Sequence, residues 1–210
     1  MDTAPQGWSI ASYDPTQLLA AFSCLRLRDG YRLAAYRFRE GGNGNGFVFA
    51  IPEDRKLPEP PESGFGLGWS SSGSALFTCA EDSLPDWVRA DVGHLLEGDD
   101  SPLSYFEASI LLRELRELGA KWHGCSWSTH ELVTSGRQKL WQRWKWLSKK
   151  PEDWRPEVTR DRMDRWRVTF YSYSGLVQER ILRHRDTFQD GYQFHSEEAE
   201  IAIGKRGYIF

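Results

Sequence analysis

Cysteine is scarce in this chain, and its placement is more telling than its number. Only Cys24, Cys79 and Cys125 occur, far apart and with no C-x-x-C pair. An odd, dispersed set excludes the dense disulfide framework of small secreted domains. It also removes the usual signatures of structural zinc and of thioredoxin-like exchange. The expectation is three reduced thiols packed as small hydrophobes in a cytoplasmic protein. Long apolar runs are missing too. No stretch approaches the roughly 20 residues of a membrane helix, and the first twenty residues lack both the basic start and the apolar centre of a secretory signal. No membrane partner is expected. Charge of one sign is also absent, with 27 Lys+Arg against 30 Asp+Glu. That balance excludes a globally basic nucleic-acid coat and a strongly acidic solvating chain. No internal repeat occurs at solenoid periods.

What is present is aromatic. Ten Trp, eight Tyr and eleven Phe stand among 210 residues, within a hydrophobic content of 40%. A chain of this length buries about 70% of its unfolded surface, enough for one core without staples.

Asp14, Pro15 and Gln17 carry an N-cap, a first-turn proline and a capping-box partner. Leu18, Leu19, Phe22 and Leu25 then recur at helical spacing until Asp29-Gly30. Strands follow at 31–39 and 46–51, joined by the Gly/Asn turn from Gly41 to Gly46. The first strand carries large residues in both phases, so either a bulge intervenes or both faces are covered. Residues 52–74 read as loop. The stretch from Gly64 to Gly73 is a flexible loop rather than a phosphate cradle, because it lacks a Gly-Lys-Ser/Thr end and a following helix. A short strand is expected at 75–80, and helices at 85–97 and 102–118. In the second helix Phe106, Ile110, Leu111, Leu115 and Leu118 form the stripe, Ser104 and Glu107 offer a capping box, and Gly119 stops the run. Residues 120–128 read as extended and 137–149 as helical. The tail reads as strands at 168–173, 176–183, 192–195, 199–203 and 208–210, with hairpins at Ser174-Gly175 and Gly204 to Gly207.

Strands do not alternate singly with helices, so a parallel sheet is not expected. The fold class is α+β, mostly antiparallel, with helices packed on one face of the sheet and a strand-rich C-terminal segment. The Pro-marked stretch near 151 divides the chain into an α+β part, 1–150, and a strand-rich part, 151–210, packed on or extending the same sheet.

The near-zero net charge hides a segregation. Residues 81–118 hold ten acids and three bases, while 135–150 hold six bases and no acid. The two blocks either face each other or solvate separate helix faces, or the basic one awaits an anionic partner. The basic block is interleaved with tryptophan. On a helix Leu140, Trp144 and Leu147 share one core-facing stripe. Trp146 falls off it, with Arg143, Lys145, Lys149 and Lys150 reaching solvent. Those five residues are the candidate binding set.

The densest cluster of reactive types is His123, Cys125, His130 and Glu131. His123, Cys125 and His130 are candidate metal ligands, and Cys125 with His130 forms a candidate nucleophile and base. No second ligand half-site is visible, and His184 or His195 could join only through tertiary folding. Glu197, Glu198 and Glu200 decorate a turn and an exposed strand face. No cofactor is implied. Three function classes follow. The leading one is a protein-binding or scaffold module without catalytic activity, since Trp and Tyr suit interfaces. The others are polyanion or nucleic-acid binding through 137–150, and a hydrolase-like enzyme using Cys125 and His130.

Overall fold

The two-phase pattern of the first strand is resolved by covering both of its faces. The computed structural model describes residues 7–40, 43–62, 65–69, 75–80, 83–121, 126–134 and 144–208. Its N-terminal sheet has the order β1 (Trp8–Ile10), β3 (Tyr31–Glu40), β4 (Asn43–Pro52), all antiparallel. Leu33, Ala35, Val48 and Ala50 point into the main core. Ala34, Tyr36, Phe47, Phe49 and Ile51 point the other way, into a second core with Trp8, Cys79, Leu84 and Val88. The two helices are α1 (Thr16–Leu19) and α2 (Pro102–Glu117). Two small ribbons, β2 (Leu25–Leu27) with β7 (Leu96–Gly98) and β5 (Phe65–Trp69) with β6 (Ala75–Cys79), complete this half. Within the stretch from Gly64 to Gly73, read as loop, the described residues 65–69 are strand, and Phe65 at the head of β5 stacks on Trp8 with ring centroids 3.8 Å apart.

The C-terminal half forms a six-stranded antiparallel sheet. It comprises β8 (His130–Leu132), β9 (Lys145–Trp146), β10 (Glu157–Arg160), β11 (Trp166–Ser174), β12 (Gln178–Phe188) and β13 (Phe194–Arg206). Their order is β10-β11-β12-β13-β9, with β8 continuing the β10 edge of β11. The fold is thus α+β, antiparallel and strand-rich at its C-terminal end. Gly204 lies inside β13 rather than in a turn.

Helix α2 lies between the two sheets. Pro102 takes the first turn and Ser101 Oγ accepts the Ser104 N–H at 3.2 Å. Glu107, expected in a capping box, instead accepts the backbone N–H groups of Ser23 and Cys24. Tyr105 and Phe106 meet Trp166, Phe188 and Phe170 of the C-terminal sheet. The opposite side carries Ala108, Leu111 and Leu115, all buried, toward β4. Burial on two sides explains why the apolar stripe is too wide for one face. At the C-terminal end Tyr13 donates to the Leu118 carbonyl at 2.7 Å. A Cβ at Gly119, where φ is +85°, would collide with that tyrosine, and one at Gly46 with the Leu118 carbonyl.

Three expected helices differ. The first is a single turn, with Asp14 Oδ1 accepting the Thr16 N–H, because Leu25 onward pairs with β7 instead. Residues 85–97 hold a single 3-10 turn, Val92–Leu95, and the start of β7 rather than a helix. Arg89 and Ala50 exchange both backbone hydrogen bonds, and Asp91 caps the turn through the Gly93 N–H, so the edge of β4 overrides helical periodicity. Residues 135–143 lie outside the described residues, and the end of the expected basic helix is β9, pairing Lys145 with Ile203 and Trp146 with Ala202. Residues 126–128, expected extended, form a bend and most of a 3-10 turn at Trp127–Thr129.

Leu111 is completely buried between the sheets. Leu111→Ala is expected to lower stability by about 2–5 kcal/mol, the range for buried leucine truncation, as read from the midpoint of urea unfolding. A loss below about 0.5 kcal/mol, the level of a surface change, would mean that this face is not core.

Candidate functional sites on the two faces of the C-terminal sheet

Strand alternation places Phe170, Ser172 and Ser174 of β11 on the α2 side, with His184 and Asp186 of β12 and Ser196 and Glu198 of β13. Four of these residues are buried polar groups, Ser172, Ser174, His184 and Asp186, with the buried Arg113 of α2 above them. A buried charge must be matched. Arg113 binds both Asp186 oxygens, at 2.6 and 2.8 Å, and donates to the Ser109 carbonyl and to Ser196 Oγ. Its guanidinium lies 5.1–5.5 Å from the rings of Phe170, Phe194 and Trp127.

Beside this pair runs a chain of four side chains. Glu198 Oε2 is 3.2 Å from His184 Nδ1, a close contact outside hydrogen-bond geometry. His184 Nε2 is 2.6 Å from Ser172 Oγ, which is 2.9 Å from His130 Nδ1. Burial holds the His184 imidazole below its ordinary pKa. Burial and the neighbouring His184 push His130 down to about 4. Both rings are therefore neutral near pH 7. His130 is delivered by the turn at Trp127–Thr129, which hangs from the end of α2. The Glu117 carboxylate accepts the N–H groups of Ser126, Trp127 and Ser128, and Glu114 accepts the Trp127 indole N–H at 2.8 Å. Part of the acidic block is thus engaged with backbone, and among the described residues no ion pair joins it to the basic block.

Carboxylate, imidazole and hydroxyl stand in the order of a nucleophilic triad, but Ser172 and His184 are completely buried. A substrate carbonyl has no approach to that hydroxyl in this conformation. Of the reactive cluster seen in the sequence, His130 belongs to the array; His123 and Cys125 lie outside the described residues. Among the described residues no group of three His, Cys, Asp or Glu side chains is placed to hold a metal ion. Neither Cys24 nor Cys79 is in a disulfide. Sequence reasoning passed over Ser172, Asp186 and Arg113, and placed Glu198 on an exposed face, whereas its contact with His184 draws it inward. The available signal was phase: these polar residues alternate in step with Val168, Phe170, Leu182 and Phe188, which a core-facing register requires.

The other face of the sheet is covered by tryptophan. Trp144, Trp154, Val133, Ile181 and Ile201 form its core, with Trp146, Tyr171 and Tyr173 packed against them. Trp144 is buried as expected, but through strand alternation around β9 rather than a helical stripe. Trp146, expected exposed, is half-buried beside Trp154. Lys145, Lys149 and Lys150 are exposed, and Arg143 lies outside the described residues. The loop after β9 walls a cleft of about 310 Å3 lined by Lys149, Lys150, Glu152, Tyr171, Arg183 and Ile201, among others. Lys149 pairs with Glu152 at 2.7 Å, both side chains over 80% exposed, so the pair holds little energy. The Lys150 ammonium lies 5.7 Å from the Trp146 ring.

No protein-family model, curated protein or solved structure matches this chain. No helix among the described residues is long and apolar enough to cross a membrane.

The buried imidazoles give a signed pH dependence. His130 has a folded pKa of about 4, below its unfolded 6.5, so the unfolded chain binds more protons between those values. The stability this provides is complete above pH 6.5 and is lost as pH falls toward 4, by at most about 3 kcal/mol. Urea midpoints measured from pH 7 to 4 are expected to fall, and to fall less in His130→Asn. An unchanged slope in that variant would remove His130 as the cause.

Proposed function

We propose that this chain is a protein-binding module that performs no chemistry and takes an acidic segment of its partner in the cleft on the outer face of the C-terminal sheet. The observation that carries this reading is the convergence of Lys149, Lys150 and Arg183 around Tyr171 in one concave site. Among the described residues one carboxylate lines it, Glu152, and it is matched by Lys149. An acidic peptide fits better than a nucleic acid for two reasons. Single strands bind by stacking bases on open aromatic faces, whereas Trp144 and Trp154 are buried and Lys150 stands over Trp146. A phosphate backbone also needs a continuous run of cations, and here Glu152 and Asp153 interrupt it on the loop, as does Glu197 across from Arg185 on the sheet. Burial of Ser172 argues against a serine nucleophile in the inner-face array.

Fluorescence anisotropy with a labelled Asp/Glu-rich peptide and with single-stranded RNA of equal charge separates the classes. The peptide is expected to bind more tightly at every salt concentration. Lys150→Glu together with Arg183→Glu is expected to weaken it at least about tenfold, as loss of more than 1.4 kcal/mol would. Tighter RNA binding, with a steep salt slope, would reverse the assignment, and binding of neither probe would end it.

A further inference from the structure

On the α2 side of the same sheet, the turn from β12 to β13 closes a second cleft, of about 280 Å3. This is the small end of the range for ligand pockets, about 300–1,000 Å3. Its floor is apolar, made by Leu112 of α2 and Phe194 at the start of β13. Its polar groups come from Arg116, Gln189, Gln193, His195 and Asp91. Asp91 is already engaged: one oxygen accepts the Gly93 N–H at 2.9 Å and the other accepts Gln193 Nε2. Arg116 is not. It is exposed at the cleft and makes no ion pair among the described residues.

The contrast with Arg113, one turn earlier on α2, is instructive. Both guanidinium groups lie near the Phe194 ring, at 5.2 and 5.9 Å. Arg113 is buried and its charge is cancelled by Asp186. Arg116 faces an open cleft with no carboxylate in ion-pair contact among the described residues, Asp91 on the wall acting on it only at a distance, and with an aromatic floor below it. A guanidinium fork matches a carboxylate or phosphoryl group with two parallel hydrogen bonds, and the flat floor accepts an apolar remainder.

We propose that this cleft is a binding site for a small organic anion, with the anionic group on Arg116 and the apolar part against Phe194 and Leu112. The side-chain amide of Gln189 offers both a donor and an acceptor to further polar atoms of the ligand. The site is separate from the outer-face cleft and does not depend on the peptide reading.

Benzoate combines a carboxylate with a flat ring and is the probe. In a 1H–15N NMR titration of the full chain, benzoate is expected to give saturable shifts at the amides of Gln189, Gln193, Phe194 and His195. Acetate is expected to move the same residues more weakly, and inorganic phosphate to displace benzoate. Arg116→Gln is expected to weaken benzoate at least about tenfold, the value of a lost charge-assisted pair, and Arg116→Lys to fall between. Non-saturating shifts, shifts centred elsewhere, or wild-type benzoate affinity in Arg116→Gln would each overturn the proposal. The wild-type titration and the phosphate displacement decide the matter even if a variant fails to fold.

Discussion

The Arg113–Asp186 pair is the constraint around which the molecule is arranged. A guanidinium and a carboxylate, both withdrawn from water, must meet with little tolerance, and leaving either alone costs about 3–5 kcal/mol. Here the requirement reaches further than two residues. Arg113 also needs the Ser196 hydroxyl and the Ser109 carbonyl. A slide of α2 by one turn, about 5.4 Å, would break all the contacts to the sheet together. Apolar packing alone tolerates such slips; this set of donors and acceptors does not. The pair sets the seat of the helix, and the helix in turn carries Glu114 and Glu117, which hold the turn that delivers His130.

The two faces of the C-terminal sheet divide the chemistry. The inner face buries its polar groups and pairs most of them with one another, which suits rigidity. The outer face pairs buried indole rings with cations on an exposed loop, which suits contact. Strand alternation produces both from the same residues: Tyr171 and Arg183 look outward while Ser172 and His184, one position along, look inward. A one-residue slip in β11 or β12 would exchange the two chemistries.

Helix α2 was legible because proline, a serine cap and an apolar run agreed locally. The tail was legible in part: its alternation is strong, but the two strands read at 192–195 and 199–203 are one, β13, which runs on through Gly204. Residues 85–97 were not, since Val88, Val92, Leu95 and Leu96 keep helical spacing while the backbone of Arg89 is claimed by Ala50, 39 positions earlier in the chain. The 144–149 stretch misled for a related reason: Trp144 and Trp146 fit either a strand phase or a helix turn, and only Ala202 and Ile203 decide between them. For the sites, His130 could be picked out by its residue type, but its partners come from β11, β12 and β13. The basic residues Lys149 and Lys150 could be read from composition. Arg183, their partner in the cleft, sits on a distant strand, and nothing local marks it.

The shared position of α2 has a consequence in time. The N-terminal sheet and the helix are complete in sequence well before the C-terminal sheet exists, and Asp186 follows Arg113 by 73 residues. At about 5–20 residues per second of synthesis, that separation lasts roughly 4–15 s. During those seconds the second side of the helix faces water, with Tyr105 and Phe106 uncovered. Arg113 stands among them as a solvated cation, and it opposes self-association of the unfinished chain. An aliphatic residue in its place would pack as well at the end, and would leave the nascent protein greasier on the way there.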